Sequence, residues 1–242
     1  KDNDIRIFSE DNIGNMWIGT MNGLYQRDVT DRLNVFTVNG QKDGLKHNSI
    51  WALMKDKQGN IWVGSYFGGV ESFNPEYHLF KHYRDVGENS LSMPVIGSMT
   101  EDKHRNLWIS TDGGGINCLN RNTGKMTSIT TKEGLSHNNV RSLYYDKKKD
   151  LLYIGMHMGG LDCLNINSHK ITHCLAHPSA IKYIPSNIVN DIIQWRDQLI
   201  LATHNGVVKY NIKTGEVSPL SKDKTISEQF GSLFYIYIDK KE

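Results

Sequence analysis

Three cysteines in 242 residues are too few, and odd in number, to build a disulfide framework. Cys118 and Cys163 recur at equivalent places, in Ile116-Asn117-Cys118-Leu119 and Leu161-Asp162-Cys163-Leu164, and read as small buried hydrophobes. No run approaches the ~18–20 apolar residues of a membrane-spanning helix, and no cleavable leader is recognisable. An excess of one charge is missing as well. Against 28 Lys and Arg stand 26 Asp and Glu, a net +2, which excludes the basic footprint of a nucleic-acid-binding domain. The one basic run, Lys147-Lys148-Lys149, falls where a solvated turn is expected. No nucleotide-binding glycine-rich segment and no phospho-accepting histidine motif is visible, so the chain by itself is expected to be neither an enzyme nor a cofactor protein.

What the sequence does have is repetition. Asp56-Lys57-Gln58-Gly59-Asn60-Ile61-Trp62-Val63-Gly64-Ser65, followed by Gly68-Gly69-Val70, has close copies over residues 11–20 and 102–111 and weaker ones over 146–156 and 197–203. Aligned on Trp17, Trp62, Trp108, Tyr153 and Ile200, the spacings are 45, 46, 45 and 47 residues. A period of about 40–50 residues with four strands per repeat is the signature of β-propeller blades. In the second repeat the strands read as Ile50–Met54 (a), Ile61–Ser65 (b), Val70–Phe73 (c) and Leu79–Tyr83 (d), split by Gly, Asn, Asp and Pro clusters.

Strand b explains the architecture. Ile61-Trp62-Val63 is apolar on both faces of a pleated strand, so it must be covered on both sides, as in a blade between two neighbours. Gly64 points either to close approach by a neighbouring blade or to a bulge. In the preceding turn, Asp accepts hydrogen bonds from its own backbone and Gly supplies a positive φ. The third copy has Arg105 at the glycine position and the fourth has Lys149 followed by Asp150; a non-Gly residue held there costs roughly 1 kcal/mol.

The fold class expected is all-β: a propeller of four-stranded antiparallel blades, about five of them plus one strand. The blades fall near 4–49, 50–95, 96–139, 140–188 and 189–230, and a further blade starts over 231–242. Both ends read as strands, Ile5–Phe8 and Leu233–Ile238, so the chain is expected to be part of a larger ring of seven blades, with an open arc as the alternative.

Glu10-Asp11, Gly14-Asn15-Met16-Trp17-Ile18-Gly19-Thr20 and Gly23-Leu24, the second copy over 56–64, and Gly134-Leu135-Ser136-His137-Asn138-Asn139-Val140 before an aromatic-Ile-Gly strand resemble the two-component-regulator propeller repeat. The resemblance spans nearly the whole chain and weakens after about residue 190, where the fifth repeat lacks the Trp and the full first turn. It implies the periplasmic sensor of a hybrid two-component system, the extracytoplasmic part of an inner-membrane protein. In such proteins two seven-bladed propellers and a small β-sandwich precede a membrane helix, a histidine kinase, a receiver and a DNA-binding module. It also implies an oligosaccharide ligand, the remaining propeller and kinase parts of the same protein as partners, and a homodimeric receptor. The alternatives are a propeller acting only as a scaffold or dimerisation platform, and a propeller lyase or hydrolase.

The b–c loops vary inside a fixed frame, and loops on a rigid scaffold are where specificity belongs. A sugar site wants an aromatic face and a few well-placed polar groups. Tyr66 and Phe67 would supply the face; Asp112, His157, His204 and Asn205 would supply hydrogen bonds. His47 and His137 share a repeat position, which argues against a metal cluster, since zinc needs His nitrogens at ~2.0–2.1 Å. Glu71 and Asp162 lie within c strands, which argues against their serving with Asp112 as a glycosidase pair, for which ~5–9.5 Å across a bond is needed.

Overall fold

A computed structural model describes residues 4–38, 44–74, 79–84, 89–174, 184–220 and 233–237. Among the described residues, twenty strands form five four-stranded sheets, each an antiparallel meander in chain order. The first sheet holds β1 (Ile5–Glu10), β2 (Met16–Thr20), β3 (Leu24–Arg27) and β4 (Leu33–Phe36). The second holds β5 (Ile50–Lys55), β6 (Ile61–Ser65), β7 (Gly69–Asn74) and β8 (Leu79–Tyr83). The third holds β9 (Ile96–Glu101), β10 (Asn106–Thr111), β11 (Gly115–Asn120) and β12 (Met126–Ile129). The fourth holds β13 (Val140–Asp146), β14 (Leu151–Met156), β15 (Leu161–Asn165) and β16 (Ile171–Cys174), and the fifth β17 (Val189–Trp195), β18 (Gln198–Thr203), β19 (Gly206–Asn211) and β20 (Val217–Pro219). These are the four-stranded blades of a β-propeller. The chain divides into two compact units, the first built around the first three blades and the second around the last two.

Burial follows strand position. Every residue of β6 is buried, as a strand covered on both faces must be, whereas the fourth strands β4, β16 and β20 have mostly exposed or half-buried residues. In the first unit, Trp17 of β2 is fully buried with Leu24, Ile50, Ile61, Val63 and Phe73, a core shared by the first two blades. Trp17 stacks on Phe36 at 5.6 Å and meets Phe73 at 5.1 Å between ring centroids. A second core joins Trp62 and Val70 to Ile96, Leu107 and Ile109. In the second unit, Tyr153 occupies the tryptophan position and packs with Leu161, Val189, Leu199 and Leu201.

Gly64 is explained by close approach: a Cβ there would lie 2.6 Å from Ile96 Cγ2, on the first strand of the next blade. The bulge occurs elsewhere, at the start of the a–b pairing, where all five sheets shift register.

The turn before strand b is built around its aspartate. Asp56 Oδ1 accepts the Gln58 and Asn60 backbone N–H groups, while Oδ2 accepts Asn60 Nδ2 at 2.9 Å and the Trp62 indole at 2.8 Å. Asp11 does the same for Ile13, Asn15 and Trp17. Gly14 and Gly59 take φ of +92° and +86°, and Arg105 keeps that conformation at +68°. In the fourth blade the positive φ falls on Asp150, at +57°, and not on Lys149, because this turn is one residue longer. Asp150 is tolerated there because Tyr145 Oη, Asn167 Nδ2 and Lys103 Nζ all bond its carboxylate. The basic run Lys147–Lys149 is exposed, as a turn should be.

Residues 233–237 join none of the five sheets. They lie beside the fifth blade, where Asn190 Nδ2 donates to the Leu233 carbonyl at 2.7 Å and the Ile236 N–H donates to Asp191 at 2.9 Å. The rest of the further blade expected over 231–242 lies outside the described residues.

Candidate functional site

Strand b ends at Ser65, and the chain must turn before strand c begins at Gly69. Three bonds fix this turn: Tyr66 N–H to the Ser49 carbonyl at 2.9 Å, Gly68 N–H to Ser65 Oγ at 3.0 Å, and Ser65 Oγ to the Gly69 carbonyl at 3.4 Å. Held at both ends, the loop presents Tyr66 and Phe67 to solvent, 38% and 56% exposed. The two rings meet edge to face at 4.4 Å. Phe67 rests its edge on His47 at 6.0 Å, and Tyr66 leans on Trp51 at 5.9 Å. Beneath Trp51 lies the Arg6 guanidinium, 4.0 Å from the ring centroid, which also donates to Ser49 Oγ at 2.9 Å. The result is an exposed aromatic surface with a rigid base.

Arg6, Trp51 and His47 were not marked as supports by the sequence. The available signal is that Trp51 lies near Ser49, the residue that anchors Tyr66, but Arg6 belongs to a different blade, and its approach is a tertiary matter.

The anchoring bond recurs at the same loop position in three other blades: Asp112 to Val95, His157 to Asn139 and His204 to Ile188, at 2.9, 2.9 and 3.1 Å. Asp112 belongs to the same unit as Tyr66 and Phe67 and is half-buried. Its Oδ1 has no hydrogen-bond partner among the described residues. His157, His204 and Asn205 belong to the second unit. His204 and Asn205 are exposed, and Asn205 Nδ2 bonds the Pro185 carbonyl at 3.2 Å. Tyr66 and Phe67 are thus in ring contact, while His204 and Asn205 share a loop of their own. Among the described residues no group of three His, Cys, Asp or Glu side chains has metal-binding geometry.

One recurring position in strand c has a different task. Glu71, Asn117 and Asp162 are fully buried and accept the N–H of the loop leading into their own blade, from Lys46, Ser92 and Ser136, at 2.9, 2.9 and 2.8 Å. Each clamps a loop and has no exposed face for a substrate. Asp162 also bonds Ser136 Oγ and His173 Nδ1, both at 2.7 Å, and Ser136 Oγ lies 2.8 Å from that same nitrogen. A nucleophile relay puts serine and carboxylate on opposite imidazole nitrogens. Here both share one, so the three form a structural cluster.

Residues 110–236, just over half of the chain, match the family profile described as the N-terminal β-propeller domain of PorZ, TSS9. Residues 1–22 and 44–67 match the two component regulator propeller. Among solved structures, the extracellular domain assigned to the hybrid two component system BT3049 of B. thetaiotaomicron superposes with TM-score 0.78 at 22% identity, over 90% of this chain and 30% of that one. The extracellular domain assigned to BT4673 of the same organism gives 0.78 at 20%, over 93% and 32%. PorZ, a surface component of the type-IX secretion system of Porphyromonas gingivalis, gives 0.69 at 14%, over 96% and 35%. At such identities the likeness is one of fold, and the chain spans about a third of the length of these proteins. No curated protein sequence matches it. The chain belongs to the family of the PorZ N-terminal β-propeller domain, and its first two blades carry two-component-regulator propeller repeats.

Proposed function

We propose that this chain is the ligand-sensing propeller module of a hybrid two-component regulator. It recognises an oligosaccharide on its b–c loops and passes the signal to a histidine kinase elsewhere in the same protein. The observation that carries this reading is the Tyr66–Phe67 pair. Two aromatic rings, exposed yet locked by Ser49, Ser65, Trp51 and His47, form a stacking surface that loses little entropy on binding. The repeats in the first two blades, and the fold shared with extracellular domains of two-component systems, support a sensor outside the cytoplasm, in the periplasm. Asp112 in the first unit and, separately, His157, His204 and Asn205 in the second are the polar groups proposed to read hydroxyls. The module works by binding alone, in a homodimeric receptor.

A second reading is favoured by the match over residues 110–236: a propeller that serves as a surface component of a secretion apparatus, as PorZ does. Calorimetric titration of oligosaccharides into a protein containing the complete propeller separates the two. Micromolar binding that Tyr66→Ala removes establishes the sensor. Absence of binding across neutral and acidic glycans rejects it in favour of the assembly role.

A further inference from the structure

We propose that Glu71 and His82 form a proton-operated latch on the loop that carries His47: with a proton on the pair the loop is held beneath Tyr66 and Phe67, and loss of that proton releases it. The regulation of ligand binding rests on the sensor reading above; the latch does not.

The geometry makes a continuous chain within the first unit. Glu71 on β7 stands directly opposite His82 on β8, with Oε1 2.9 Å from Nδ1. The same Oε1 accepts the Lys46 N–H at 2.9 Å. The next residue, His47, supports the edge of Phe67 and packs against Gly68, where a Cβ would come within 3.0 Å of the His47 Cβ. The carboxyl is fully buried, and its other oxygen, Oε2, has no hydrogen-bond partner among the described residues. A bare carboxylate in that position is costly, and a neutral or proton-sharing one is not. The charged groups around it are His82, Lys46 and Arg84.

Burial pushes the Glu71 carboxyl up to about 7, against the pull of the Lys46 amide and the Lys46 and Arg84 charges. Opening the loop hydrates the carboxyl and returns it to the ordinary range near 4.5. The closed loop therefore holds the proton more tightly than the open one. Closure is favoured below that range and weakened as pH rises through about 7. Whether the proton sits on Glu71 or on His82, its loss leaves the same buried carboxylate with Oε2 unbonded.

Other blades supply internal controls. Asn117 clamps its loop without a titratable group. Asp162 has both oxygens bonded, to Ser136 and His173.

The test is amide hydrogen exchange on the 242-residue chain, corrected for the intrinsic effect of pH. Protection of the Lys46 amide is expected to fall at least ~tenfold from pH about 5.5 to about 8.5, while the Ser92 amide, held by Asn117, stays level. In Glu71→Gln the Lys46 protection should be independent of pH. His82→Gln should shift the midpoint and serves if the first variant does not fold. A level Lys46 profile in the wild type, the same fall in Glu71→Gln, or an unmoved midpoint in His82→Gln overturns the latch. Failure of every glycan to bind overturns the sensor reading and leaves the exchange result to decide the latch.

Discussion

The indole N–H of Trp62 donates to the carboxylate of Asp56 at 2.8 Å, so the residue that shapes the turn also satisfies the polar atom of the residue that fills the core. Arg121, from the third blade, closes the same carboxylate at 2.7 Å and lies 5.4 Å from the Trp62 ring centroid. One buried aspartate thus ties a turn, a core and a neighbouring blade together. Asp56→Ala leaves the indole, two backbone amides and the Asn60 side chain without their acceptor, and takes the buried carboxylate from Arg121, which keeps Gln58 Oε1 at 2.6 Å and Glu101 at 3.5 Å. Chemical denaturation should show a loss of about 3–5 kcal/mol. A loss under 1 kcal/mol would show that water replaces the carboxylate.

Acid should act through the same carboxylates. Burial pushes Asp56 up, but the hydrogen bonds from Trp62 and Asn60 and the Arg121 charge outweigh it and hold the group below the ordinary value of 3.8. Asp150 reaches about 2, where Tyr145, Lys103 and Asn167 outweigh burial. A lowered carboxyl favours folding above the ordinary value and loses that contribution as pH falls through the folded value. The melting temperature should drop between pH about 4 and about 2, and less steeply in Asp150→Asn. Identical profiles would remove Asp150 from the account.

Two glycines should respond differently to alanine. At Gly64 the added methyl meets Ile96 Cγ2 at 2.6 Å and Ala52 Cβ at 3.0 Å, so Gly64→Ala should cost about 1–3 kcal/mol by overpacking. At Gly124, φ is +73° and nothing lies within 4 Å, so Gly124→Ala should cost only about 1 kcal/mol, from the backbone alone. Urea denaturation of both variants checks the ordering, and equal costs would mean that Ile96 moves freely.

Tyr66→Ala and Phe67→Ala remove side chains that are 38% and 56% exposed, so each should lower stability by about 1 kcal/mol or less. Both should weaken oligosaccharide binding at least ~tenfold if they form the stacking surface. Unfolding of both variants would instead make the pair part of the core.

The repeat was legible because its physics is local. Asp56, Gly59 and Trp62 lie within one turn and one strand, and period-two patterning shows that both faces of β6 are covered. The same locality explains why the loops carrying Tyr66, Asp112, His157 and His204 could be aligned across blades. The role of Glu71 was not legible. Nothing near it in sequence shows that it clamps Lys46, 25 residues earlier, or faces His82 on the next strand. The fourth turn also misled, since Lys149 occupies the expected position while the extra residue moves the positive φ to Asp150.

The sequence by itself determined the blades: strand order, turn chemistry and the apolar faces follow from contacts among residues close in the chain. Only the tertiary structure decided which residue of one blade meets which residue of the next. Ile96 fills the space above Gly64, Arg121 closes Asp56, and Arg6 lies under Trp51. Those choices depend on how twisted sheets pack face to face, and the turn and strand signals within a single repeat do not encode that packing.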